Sequence, residues 1–413
     1  TMIRTGPDGG LWVADMYRGV IEHPQYFYEG NFKKLNVRAG DRMGRLYRVI
    51  PAATRPRSLA PLKSLEPGDS AGLAASTASP NGWIRDMAHQ RLANTRPAGA
   101  APHLARLALD AKNSQGRVQA LCALDALSKE AGAQLMTRTL TAALKDKHPG
   151  VRRHALRISE AYLQESLPLQ QAVLALQNDK DPHVQLQLAY TLGEWNAPEA
   201  GRALGRLALA HAGDRYITAA VLSSAEKNLE ELIAVVFAGV RGTTGQKKAA
   251  RSLSANLLPL AAAFGKPRAL ARVLEEITRR PAGAKNYEAW QFNALAGLAE
   301  GAAQENSPFS KALQKARKPI GDMVEAASAL IGKPGTAQEL RNAAIRLAGV
   351  SPALGSIPPG ALKELANLLN IRNSLQLQEL AIDSLARFPS PEVPTLLLGS
   401  WKGQVPSIRS RIL

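Results

Sequence analysis

The stretch Asp146-Lys147-His148-Pro149-Gly150-Val151-Arg152 constrains this chain most, because its pattern returns at a nearly fixed interval. An acidic turn ending in proline precedes a β-branched anchor, then Arg or Gln, then a small or apolar residue four positions after the anchor. The anchors Ile84, Val118, Val151, Val184 and Ile217 follow one another at 34, 33, 33 and 33 residues. A period of this length marks stacked repeat units, none of which buries its apolar face alone. The pattern resumes at Trp290-Gln291, Leu340-Arg341 and Leu377-Gln378, and Pro406-Ser407-Ile408-Arg409 opens one more unit.

Each unit is expected to be two antiparallel helices, with Asp and Pro starting the second. Burial three and four positions apart places Val151, Ala155, Leu156 and Ile158 against Leu135, Leu140 and Leu144 of the preceding helix. Apolar residues make up 45% of the chain and aromatics only 5%, a composition dominated by the helix formers Ala and Leu. The same period suits tetratricopeptide and ankyrin repeats, but the Trp/Leu-Gly/Tyr pattern and the Thr-Pro-Leu-His turn of those repeats are missing. The fold class expected is therefore mainly α, a HEAT-like α-solenoid over residues 79–413. The recurrent Arg or Gln after the anchor (Arg85, Gln119, Arg152, Gln185, Arg341) predicts a structural ladder, Asp181-type turns bonding to Arg152-type side chains of neighbouring units.

A net charge of +18 favours polyanions or an acidic protein partner through its long-range field. The cations are scattered, no recognition motif is present and few aromatics could stack bases, which argues against nucleic acid. Cys122 is the sole cysteine, which excludes an internal disulfide and a Cys-x-x-Cys site, and its register marks it as a buried small residue rather than a nucleophile. The apolar run Leu232–Ala238 is too short to span a bilayer. Seven dispersed histidines form no His-Glu-x-x-His pair, so no metal site is expected, and there is no Gly-x-Ser-x-Gly elbow. Helices are expected over 228–240, 249–264 and 269–279. Arg241–Lys248 has the wrong glycine-to-lysine spacing for a phosphate loop and reads as a connector.

The first fifty residues break the helical pattern. Gly6-Pro7-Asp8-Gly9-Gly10 is turn chemistry, and Leu11–Asp15 and Gly44–Ile50 read as strands. Two strands do not make a stable sheet, so they are expected to belong to a larger β-structure. Residues 51–78 read as a linker and a first, loosely specified helix.

Gly6-Pro7-Asp8-Gly9-Gly10-Leu11-Trp12-Val13-Ala14-Asp15-Met16-Tyr17-Arg18, then Ile21-Glu22-His23-Pro24, then Gly44-Arg45-Leu46-Tyr47-Arg48-Val49, resembles the last blade of a sugar-dehydrogenase-like β-propeller. The family is that of the planctomycete and verrucomicrobial membrane-bound dehydrogenase, or haem-binding domain, proteins, and Ser79–Asp86 is similar to its first repeat after the propeller. The resemblance implies a secreted or periplasmic parent with a propeller, HEAT repeats and a cytochrome c domain. Such a parent oxidises a sugar or polyol with haem c and a quinone cofactor. Most of the propeller and the Cys-x-x-Cys-His motif are missing from this chain, which therefore reads as an internal piece, mainly scaffold, holding no cofactor itself. The alternative is a non-enzymatic protein that recognises a polysaccharide or an acidic partner.

Loops between strands at a propeller mouth hold ligands. There Asp15, Tyr17 and Arg18 are the candidate ligand-binding residues, Arg18 as an anion or carbonyl anchor, and His23 the candidate base. The competing reading is structural: Asp15 caps a turn, Arg18 pairs with it, and His23-Pro24 shapes the loop.

Overall fold

The computed structural model describes residues 2–21, 23–26, 33–52, 65, 68–240, 242–264, 266–281, 283–284, 286–301 and 308–413. Most of the expected linker, together with Glu22, Tyr28 and Arg241, lies outside the described residues.

Three strands, β1 (Met2–Thr5), β2 (Leu11–Asp15) and β3 (Arg45–Val49), form an antiparallel sheet in the order β1-β2-β3. Residue pairs Ile3↔Val13 and Val13↔Tyr47 fix its register. The expectation of two strands missed β1, whose four residues Met-Ile-Arg-Thr carry little alternation of their own. Gly6–Gly10 makes the β1–β2 hairpin, with Gly9 at φ 80°. The Asp8 carboxylate accepts from Gly10 N–H and from the Trp12 indole, both at 3.1 Å, and pairs with Arg48.

The remainder is helical, and the chain divides into two compact units, Thr1–Gln187 and Leu188–Leu413, with the boundary inside one helix. Up to that boundary run α1 (Ser70–Ser76), α2 (Gly82–Thr95), α3 (Ala100–Asp110), α4 (Ser114–Ala126), α5 (Ser128–Ala143), α6 (Pro149–Ser159), α7 (Leu167–Ala175) and α8 (Pro182–Glu194). Beyond it come α9 (Pro198–Ala210), α10 (Arg215–Ser223), α11 (Leu229–Gly239), α12 (Thr244–Ala263), α13 (Pro267–Thr278), α14 (Ala289–Gly301) and α15 (Pro308–Lys315). The last are α16 (Arg317–Ile331), α17 (Gln338–Val350), α18 (Ala361–Asn367), α19 (Leu375–Leu385), α20 (Val393–Gly399) and α21 (Pro406–Ile412).

Within each unit the helices form two layers, as HEAT-like repeats require. In the first unit α1, α3, α5 and α7 pack in one row and α2, α4 and α6 in the other. In the second, α9, α11, α13, α16, α18 and α20 form one row and α10, α12, α14, α17, α19 and α21 the other. Val151, Ala155, Leu156, Ile158, Leu140 and Leu144 are buried as the period requires. Leu135 is only half-buried, and Met136 fills the core instead. Close approach of α9 to α11 rests on glycine: a Cβ on Gly205 would lie 2.7 Å from the Val235 Cβ, and one on Gly201 2.6 Å from the Glu231 Cβ.

The connector expected over 241–248 is shorter than that. Thr244 already starts α12, so Lys247 stands on its first turn and Lys248 follows it in the helix.

Candidate functional site

Asp15 ends β2 and the loop after it carries Tyr17, Arg18 and His23; a local hydrogen bond engages one side-chain atom of each of Asp15, Arg18 and His23. Asp15 accepts from Tyr17 N–H at 3.2 Å, the turn cap of the structural reading. Arg18 donates to the Val37 carbonyl at 3.1 Å, so its guanidinium ties the loop to the segment before β3. His23 Nδ1 accepts from Gln25 N–H at 3.3 Å and starts the short 3-10 turn Pro24–Tyr26, its ring edge-on to Tyr26.

Tyr17 differs from these three. Its φ of 49° is left-handed, a conformation that costs a non-glycine residue about 1 kcal/mol or more. Its carbonyl lies where a Cβ on Gly40 would stand, so only glycine fits there. The ring is exposed and carries the Arg45 guanidinium at 4.5 Å, while Arg45 also donates to the Tyr47 hydroxyl at 3.1 Å. Two tyrosines and two arginines thus stand at this end of β2, a surface able to stack on a ring and to bond hydroxyl or anionic oxygens.

Of the expected rungs only Arg152 pairs with an acid of a neighbouring unit, and that acid is Asp179 rather than Asp181; Arg117 makes a second such pair. Arg152 donates to both oxygens of Asp179, at 2.6 and 2.8 Å, and to the Asp146 carbonyl at 2.8 Å. Arg117 likewise holds both oxygens of Asp146, at 2.7 and 2.9 Å, and donates to the Ala111 carbonyl at 2.8 Å. Burial pushes the Asp146 and Asp179 carboxyls up, but the arginine and backbone N–H bonds outweigh it and hold both below the usual carboxylate range. Asp181 is not a rung. It caps α8, accepting from His183 N–H at 2.9 Å and Val184 N–H at 3.2 Å. Gln119 is not one either, since its amide meets His89 Nδ1 at 2.9 Å. The remaining expected rungs stay within their own turns: Arg85 donates to the Ser79 carbonyl, Gln185 to that of Asp179 and Arg341 to that of Lys333.

Arg117 and the two ladder aspartates were missed, although a signal existed. Asp146 and Asp179 recur at the period, whereas one period before Asp181 stands His148, which caps α6 through Nδ1. The caps Asn81, Asn113, His148, Asp181 and Asp214 are spaced by 32, 35, 33 and 33, and every rung lies four residues after its cap.

Cys122 is half-buried with its sulfur 3.8 Å from His154 Nδ1. Burial pushes the thiol up and the His154 imidazole down, leaving both neutral at pH 7. Among the described residues no group of three or more His, Cys, Asp or Glu could hold a metal ion. One half-buried cysteine cannot attach a c-type haem, so these residues do not fit that group. Among the described residues no helix is long and apolar enough to cross a membrane.

Residues 1–53 match the family model DUF7133, a domain of unknown function. No curated protein matches the sequence. Among solved structures the chain is similar to Kap121p, at 13% identity over 83% of this chain and a TM-score of 0.46. It is also similar to Kap121p bound to Nup53p, at 12% identity over 85% of this chain and a TM-score of 0.44. A third likeness is to the C-terminal fragment of the Chaetomium thermophilum cohesin loader SCC2, at 13% identity over 82% of this chain, with a TM-score of 0.28. The chain spans 44%, 45% and 34% of those three chains.

Proposed function

We propose that this chain is the scaffold of a secreted or periplasmic sugar- or polyol-oxidising protein. In this reading the sheet is one blade of a propeller and the helical repeats set the distance to an electron-accepting domain that holds the haem. The observation that carries it is apolar exposure on both sides of the sheet: Ile3, Tyr47 and Val49 on one face, Met2 and Leu46 (75% exposed) on the other. Apolar side chains open on both faces of a three-stranded sheet suit further β-structure stacked on each, which is how propeller blades pack. Tyr17, Arg18, Arg45 and Tyr47 would then line the mouth, with His23 the proposed acceptor of a hydroxyl proton.

The test is sugar-dependent dye reduction, with haem staining, on the natural gene product including whatever flanks this chain. Reduction is expected, with His23→Ala lowering kcat/KM about 100-fold. An unaltered rate in that variant removes His23 from the chemistry. Absence of both haem and dye reduction replaces this reading with a second one, recognition of a polysaccharide or an acidic protein without redox chemistry, which the net charge of +18 supports.

A further inference from the structure

Within the second unit, a cavity of about 420 Å³ opens between α11, α12 and the turn from α13 to α14. Its floor is aromatic: the rings of Phe237 and Trp290 are 6.3 Å apart, centroid to centroid. The polar groups around that floor are already engaged. The Trp290 indole donates to Glu288 Oε2 at 2.6 Å, and the same oxygen receives Arg251 at 2.6 Å. Glu276 is paired with Arg279 at 3.5 Å. Gln291 spends its amide on the Ile277 and Arg279 carbonyls, at 2.6 and 2.9 Å, and takes Glu288 N–H on its oxygen. Trp290 therefore offers the cavity its ring alone, and both lining carboxylates are neutralised.

Among the described lining residues two exposed cations remain, Lys247 from the first turn of α12 and Arg280 after α13. Neither makes an ion pair among the described residues; Arg280 lies over the Tyr287 ring at 5.1 Å. An aromatic floor with unpaired positive charge at its edge is complementary to an apolar side chain flanked by carboxylates. The volume falls in the range of built ligand pockets, and the chain's positive field would steer an acidic segment toward it.

We infer that this cavity docks a segment of an acidic protein partner: an aromatic or branched apolar side chain packs onto the floor made by Phe237 and Trp290 while neighbouring Asp or Glu residues meet Lys247 and Arg280. This holds whether or not the sheet takes part in sugar chemistry, since it uses no residue of the sheet.

The experiment is fluorescence anisotropy of a short labelled peptide, phenylalanine and leucine alternating with aspartate and glutamate, titrated with the full chain. Binding is expected, weakened by salt and weakened about tenfold by the double substitution Lys247→Glu, Arg280→Glu. The same reversals at the exposed Lys129 and Arg138 are expected to change affinity far less. All four side chains are exposed, and thermal melting checks that each variant is folded. The inference is overturned by no binding, by equal binding of the peptide with Asn and Gln in place of its acids, or by undiminished binding in the Lys247/Arg280 variant. It is also overturned if free phenylacetate occupies the cavity while the peptide does not.

Discussion

Arg117 and Gln119 stand two residues apart on α4 and do different work. The Arg117–Asp146 pair is buried, with the two side chains 5% and 9% exposed, and it joins two repeats; Gln119 meets one half-buried histidine. Removing one member of a buried pair leaves the other charge uncompensated, at about 3–5 kcal/mol. Arg117→Met is therefore expected to lower the urea midpoint strongly, while Gln119→Met costs about 1 kcal/mol or less. Comparable losses in the two variants would show that the buried pair is not what secures this junction. Of this ladder, the type of residue was legible in the sequence and its partner was not. Asp146 and Asp179 lie within the acidic turns that the period picks out, but which acid of a turn caps its own helix and which reaches back to the previous repeat depends on backbone direction at the helix start.

Among the elements, the junction between the sheet and the first repeat turns on Asn81. Its side-chain oxygen caps α2 by accepting from Trp83 N–H at 3.0 Å, and its amide donates to the Gly6 and Pro7 carbonyls at 3.1 and 3.0 Å. Asn113 repeats the device one unit later, capping α4 and donating to the Ala78 carbonyl at 3.1 Å. Asn81→Asp keeps an acceptor for the cap but removes both donors and sets a carboxylate against two carbonyls. The expected outcome is faster hydrogen exchange at Val13 and Tyr47 with little change at Leu92; unchanged strand protection would mean the sheet does not depend on this clamp. The same element explains why one anchor was misread. Relative to the repeats on either side, the α4 cap comes early, so Gly116 takes the anchor position and packs against Ala78, while Val118 falls two residues beyond it.

For the molecule as a whole, acid is the condition that tests the carboxylates together. Hydrogen bonds from Arg346, opposed by burial and aided by Arg387, hold Glu300 below its ordinary value, and Asp146 and Asp179 are depressed as well. A carboxyl depressed in the folded state adds stability above its unfolded pKa and loses it as pH falls through the folded value. Stability is thus expected to be level near neutrality and to decline below about pH 4. Arg117→Met combined with Asp146→Leu, which removes one such group and its partner, is expected to flatten that decline in urea titrations at stepped pH. An unaltered slope would assign acid sensitivity to other groups.

Sequence by itself determined that most of this chain is paired helices, repeating near 33 residues from Ile84 to Ile217, and that its first fifty residues are of another kind. Periodic burial is local information: Val151, Ala155 and Ile158 announce a buried face whatever lies opposite. Only the tertiary structure decided which carboxylates make the rungs, that β1 completes the sheet, and that Phe237 and Trp290, 53 residues apart, share one cavity. Those depend on how far each turn carries the next helix, a quantity summed over loops whose residues have no period of their own.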